Sequence, residues 1–257
     1  GSLIRKLDLE VLPFPTSTPL PMPTGPVPEP VELEQDPGRL ANFAFSADGQ
    51  MLAAVSSRTL ILWRISDGSL IHALALKKTD FPQPNTLAFS LDGQTLALGF
   101  RDGTITLWRI SDGSLIRTLR GHSSGENSLA FSPDGKTLAW KSFFDKVKLW
   151  RVSDGSLIRE LEPGREEVFS MTFSPDGRTL ALGLWKKILL VRISDGSLIR
   201  ILPLESWAEV SFAKISDSNI GWALEPETVY EVTFSPDGRL LASGLSDGTI
   251  RLWGVMP

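Results

Sequence analysis

From residue 40 onward, apolar and polar residues alternate in short runs of five or six, separated by turn-forming clusters. A period of two marks half-buried strands. The stretch WRISDGSLI at 63–71 shows the pattern well: an alternating run up to Trp63, then Ser66-Asp67-Gly68-Ser69, then a second apolar run. It returns as WRISDGSLI at 108–116, WRVSDGSLI at 150–158 and VRISDGSLI at 191–199. Glycine in an Asp-Gly turn supplies the positive φ that a tight connection needs, so each copy predicts an antiparallel hairpin.

A second motif, Phe-Ser-x-Asp-Gly, starts at Phe45, Phe89, Phe131, Phe173 and Phe234, each time between two alternating runs such as SLAF and KTLAW. In FSPDGK (131–136), Pro133 presets φ and Gly135 takes the left-handed position, which again predicts a hairpin. Each repeat therefore contains four short strands, and the first three intervals between motif phenylalanines are 44, 42 and 42 residues. Four strands in about 40–45 residues is the pattern of a propeller blade. The last interval, 61 residues, is too long. Inside it VSFAKISDSNIGWALEP (210–226) reads as a worn inner hairpin, with Phe212 placed 39 residues after Phe173. Residues 205–228 are thus expected to form a reduced sixth blade position; the other reading is an elaborated loop before a fifth blade.

Over residues 40–204 and 229–257, plus the opening strand, the chain resembles WD-repeat β-propellers. The resemblance implies an all-β propeller with five four-stranded blades and the reduced sixth position, as a single domain over 1–257. In the third repeat strands a to d match SLAFS, KTLAW, VKLWR and SLIRE, with a lining the channel and d on the rim. Arg64, Arg109 and Arg151 follow Trp63, Trp108 and Trp150 where the family has Asp. The Ser/Thr, His, Asp and Trp network implied by the family is partial. The third blade has His122, Asp145 and Trp150 but Trp140 in the Ser place, and the last blade has Ser243, Asp247 and Trp253. The final repeat supplies three strands and stops, while residues 2–8 read as an unaccompanied strand d. Pairing the two would complete the last blade and close the ring. Between them, residues 13–38 are dense in Pro and Thr and read as a linker or insertion outside any blade.

Composition narrows the function. A net charge of −4 and a pI near 5.3 give no general attraction to nucleic acid. There is no Cys and only His72 and His122, which leaves little for thiol, metal or base chemistry, and no cofactor is expected. The repeated Asp67, Asp112, Asp154 and Asp195 offer one carboxylate per turn, too few for a calcium loop. No nucleophile elbow, phosphate loop or zinc-protease motif is present, and no run of 18 apolar residues spans a membrane. The reading is a monomeric, non-catalytic scaffold for a protein or peptide partner. A sensory or regulatory domain of a larger signalling protein, and a propeller with a channel site for catalysis or a small ligand, remain open alternatives.

Specificity is expected where the blades differ. Arg117, Arg159, Arg200 and His72 recur at one position of strand d and read as rim scaffold. Counting from the motif Phe, the b–c loops align at Ser57, Arg101, Phe143, Trp185 and Ser246. Three successive loops then carry Phe100-Arg101, Phe143-Phe144 with Lys146, and Trp185-Lys186-Lys187, which Trp207 extends. In the family b–c and d–a loops share one face, so these residues form a candidate stripe of aromatics and cations for a partner. The alternative is that they fill space left by the incomplete network or pack under 13–38.

Overall fold

The computed structural model describes residues 40–56, 59–76, 84–120, 127–142, 146–164, 166–204, 228–246 and 248–254. These residues form only strands and turns. The first sheet has the order β1 (Leu40–Phe45), β2 (Met51–Ser56), β3 (Thr59–Arg64), β4 (Leu70–Ala75). The second is β5 (Pro84–Phe89), β6 (Thr95–Phe100), β7 (Thr104–Arg109), β8 (Leu115–Arg120). The third comprises β9 (Asn127–Phe131), β10 (Thr137–Ser142), β11 (Val147–Arg151) and β12 (Leu157–Leu161). The fourth contains β13 (Val168–Phe173), β14 (Thr179–Leu184), β15 (Lys187–Arg192) and β16 (Leu198–Pro203). The fifth has three described strands, β17 (Val229–Phe234), β18 (Leu240–Leu245) and β19 (Ile250–Gly254). Each sheet is an antiparallel meander in chain order, as expected of blades. The expected strand at 2–8 and the segment 13–38 lie outside the described residues.

Both turn motifs work by local hydrogen bonding. In the first, the Ser46 hydroxyl donates to Asp48 Oδ1 (2.6 Å) and accepts from the Met51 amide (2.9 Å), while Asp48 Oδ1 also accepts from the Gln50 amide (3.0 Å). Gly49 closes the turn at φ +68°. The same Ser-to-Asp bond recurs at Ser90–Asp92, Ser132–Asp134, Ser174–Asp176 and Ser235–Asp237. Ser, Asp and Gly are therefore each required within a span of six residues. In the second motif Asp67, Asp112 and Asp154 accept from the amides of Ser69, Ser114 and Ser156, each at 2.9 Å.

The described strands fall into two compact units. One comprises β1 to β12 with Val168 and the turn 194–196. Its second sheet is buried on both faces. Leu96, Leu98 and Phe100 pack with Ala53, Val55, Leu60 and Leu62 of the first sheet, while Ala97, Ile105, Leu107 and Leu119 pack with Leu129, Leu138, Trp140 and Trp150 of the third. Alternation along β6 thus sends successive side chains into two different cores.

The other unit comprises 169–193 and 197–204 with β17 to β19. Its core joins Ala181, Ile188, Leu190 and Leu202 to Val229, Val232, Leu241 and Leu245. Here β17 lies directly against β13 and β14. The Val232 amide donates to Ser170 Oγ (3.1 Å), and a Cβ on Gly183 would sit 2.7 Å from Val229 Cγ1. Residues 205–228 are expected between these two sheets as a half-blade or a loop, and of these 205–227 lie outside the described residues.

Candidate functional site

Among the described residues no group of three or more His, Cys, Asp or Glu is placed to hold a metal ion, and no helix is long and apolar enough to cross a membrane. Attention therefore falls on the loop ends, where the sequence placed its candidate stripe.

Phe100 does not belong to that stripe. It is fully buried, in the same core as Leu96 and Leu98, whose parity along β6 it shares. The positions at the same distance from the motif Phe in the fourth and fifth sheets, Leu184 and Leu245, are buried too. Parity was the available signal, and it marks a core position. The neighbouring Arg101 is exposed on the β6–β7 turn, which Asp102 holds by accepting from the Thr104 amide (3.0 Å) and hydroxyl (2.7 Å). Lys146 is committed to Glu162 Oε1 (2.7 Å) and Glu160 Oε2 (3.0 Å), which hold its ammonium pKa above the usual lysine range. Phe143, Phe144 and Trp207 lie outside the described residues.

The tryptophan network is likewise only partly seen. Trp253 Nε1 donates to Ser243 Oγ (3.0 Å), joining two of the three residues named for the last blade, and Asp247 lies outside the described residues. Trp108 Nε1 instead donates to Thr106 Oγ1 on its own strand (2.8 Å). Trp150 Nε1 is buried and has no hydrogen-bond partner among the described residues, while Trp140 is fully buried beside it in the same core. Trp63 is half-buried, and His122 and Asp145 are not described.

Trp185, Lys186 and Lys187 stand differently. Trp185 and Lys186 form the two-residue connection between β14 and β15, and Lys186 adopts φ +61°. Glycine takes the equivalent role in the β6–β7 turn (Gly103, +76°) and before β19 (Gly248, +79°). Lysine in the left-handed region costs about 1–2 kcal/mol, and such strain is retained where surroundings impose it. They do so here. The Leu204 amide donates to the Lys186 carbonyl (2.9 Å), Arg251 Nη1 donates to the Leu204 carbonyl (2.5 Å), and Trp185 bridges Thr228 across antiparallel backbone. The turn holds Trp185 46% exposed.

Two residues beyond Thr228 is Tyr230, which the sequence reading passed over. It is the extra residue of a bulge between Val229 and Glu231 and is 51% exposed. Bulges commonly re-aim a side chain in this way. Its ring meets that of Phe169 edge to face, with centroids 6.4 Å apart and planes at 86°. Phe169 and Tyr230 each lie four residues before their motif Phe, where the first three repeats have Ala41, Asn85 and Asn127. That offset comparison would have found them. Within one unit, Tyr230 and Phe169 thus form an edge-to-face pair, and Trp185 is exposed on a turn that also carries Lys186, with its backbone bridged to Thr228.

The repeat-level comparison agrees with this architecture. Residues 78–109, 113–139 and 224–254 each match the family model of the WD domain, G-beta repeat. The chain carries WD repeats. No curated protein matches the chain significantly. Domains built of WD repeats typically mediate protein interactions and are typically non-catalytic.

Proposed function

We propose that the chain is a non-catalytic interaction platform that captures a protein or peptide partner at the b–c and d–a end, and that Trp185 and Tyr230 make the central contact. The observation that carries this reading is their exposure on a fixed backbone: 46% and 51%, with Trp185 bridged to the residue two before Tyr230. Large aromatics held rigidly in solvent lose little conformational freedom on binding and are typical anchors of interfaces. Lys186 and Lys187 follow Trp185 directly in the chain and favour a partner carrying carboxylates.

The finer architecture is part of the same proposal. Residues 2–8 supply the fourth strand of the last sheet outside β19 and close one monomeric ring. The binding reading is tested by peptide display against the full chain and against W185S/Y230S. Selected peptides should bind the double variant at least tenfold more weakly at an unchanged melting temperature. Equal binding by both chains would refute this surface.

A further inference from the structure

Among the described residues, Lys186 is the one non-glycine with a positive φ, at +61°. A left-handed backbone crowds the Cβ of an L-residue, and glycine escapes that crowding. In the β6–β7 turn and before β19 glycine takes this role. The β14–β15 turn is fixed from outside: the Leu204 amide bonds the Lys186 carbonyl, Arg251 holds Leu204, and Trp185 bridges Thr228. Thr228 is itself anchored, accepting from the Ser246 amide (3.0 Å) and donating its own amide to Ser246 Oγ (3.1 Å). The bond from Leu204 uses the Lys186 main chain, which a glycine supplies equally. What lysine brings in glycine's place is an exposed cation directly after Trp185. Strained backbone of this kind collects at binding sites, where the side chain serves something other than the fold.

We propose that Lys186 is the specificity-determining residue of the platform: its ammonium pairs with a carboxylate of the partner peptide, next to the apolar side chain laid against Trp185. This rests on the platform reading above and names the chemical class of its ligand, an acidic peptide with an apolar anchor. Consecutive Cα atoms are about 3.8 Å apart, so anchor and charge are read at neighbouring points of one turn. Because the backbone of that turn is already fixed, little of it has to be ordered on binding. An exposed ion pair contributes modestly, so the pairing selects among peptides more than it supplies their affinity. Lys187 opens β15 in ordinary strand geometry and serves as the internal control.

The probes are synthetic peptides taken from the display selection against the full chain, each made a second time with its Asp and Glu replaced by Asn and Gln. Binding is read by fluorescence anisotropy at low salt, where exposed charges are least screened. K186Q keeps the backbone strain and removes the charge; it should bind the acidic peptides about threefold to fivefold more weakly than the parent, at an unchanged melting temperature. The neutral peptides should bind K186Q and the parent alike, and K186R should keep the parent's preference. K186G should show the same loss of binding and, relieved of strain, melt about 2–4 °C higher. K187Q should change binding less than about twofold. Selection of peptides without carboxylates, equal affinity of K186Q and the parent for the acidic peptides, or an equal loss for the neutral ones overturns the proposal. An unchanged or lower melting temperature in K186G overturns it as well, because the lysine then serves the fold. If the peptides lose affinity with W185S/Y230S but not with K186Q, the role of Lys186 alone is refuted and the platform stands. If they are indifferent to W185S/Y230S, the platform falls and the role of Lys186 with it.

Discussion

Arg117 lies across Gly155: its Nη2 donates to the Ser153 carbonyl at 3.1 Å, and its Cδ fills the space that a Cβ on Gly155 would need. The relationship repeats within the same unit. His72 Nε2 bonds the Ile110 carbonyl (2.7 Å) and sits against Gly113, and Arg159 Nη2 donates to the Ser194 carbonyl (3.3 Å) with its Cδ 2.7 Å from where a Gly196 Cβ would be. The glycine of the repeated SDGS turn thus meets two demands, a positive φ and a close approach by the strand of the preceding repeat. The recurring Arg and Gly are two halves of one clamp.

G155A should therefore cost more than G135A. Both take left-handed φ, +73° and +69°, but a Cβ on Gly135 meets nothing within 4 Å. The strain common to both is about 1–2 kcal/mol, and G155A must in addition displace Arg117. Urea unfolding should rank the variants in that order, and R117A should bring G155A close to G135A. Equal losses in G155A and G135A would remove the clamp.

Acid should loosen the repeat turns. Hydrogen bonds from Ser114 and Ser156, helped by Arg109 and Arg151, lower the carboxyls of Asp112 and Asp154 from 3.8 to about 2. Asp48, Asp92, Asp134, Asp176 and Asp237 shift in the same direction, each chiefly through its Ser partner. A carboxyl depressed in the folded state contributes stability that is fully present above its unfolded value and is lost as pH falls through the folded one. Melting temperature should accordingly be flat near neutrality and fall between about pH 4 and 2. In D112N/D154N that fall should be shallower; an identical acid limb would contradict the assignment.

Two aromatics of the candidate stripe should behave oppositely. F100S removes a fully buried ring and should cost about 3–5 kcal/mol. W185S alters a side chain that is 46% exposed and should stay within about 1 kcal/mol of the parent. Chemical denaturation distinguishes them directly. Comparable losses would mean that Trp185 is also a packing residue and would weaken the binding reading.

Removal of residues 2–8 tests the outer strand of the last sheet. Ile250 and Leu252 of β19 are 46% and 42% exposed, and no described strand pairs with its outer edge. If residues 2–8 cover that edge at about 2 kcal/mol, the melting temperature of the deletion should drop by about 4–8 °C. An unchanged melting temperature sinks this pairing.

Local chemistry explains how much could be read from the residues alone. The positions and type of the strands, the two turn motifs and the four-strand repeat were legible because each Ser-Asp-Gly turn closes its own hydrogen bonds within six residues, independent of what packs outside. The alternating runs marked β6 as a strand but did not show that both its faces are buried or which neighbour each face would meet. Phe100 and Trp185 looked alike as loop aromatics. Only tertiary packing distinguished them, because Phe100 continues the parity of Leu96 and Leu98 into a core, while Trp185 leaves its strand on a turn held by Leu204 and Thr228. The contact of Ser170 with Val232 likewise required the fold, since those residues are 62 apart in the chain. Turns are decided within reach of one side chain; which aromatic faces solvent is decided by strands far away in sequence.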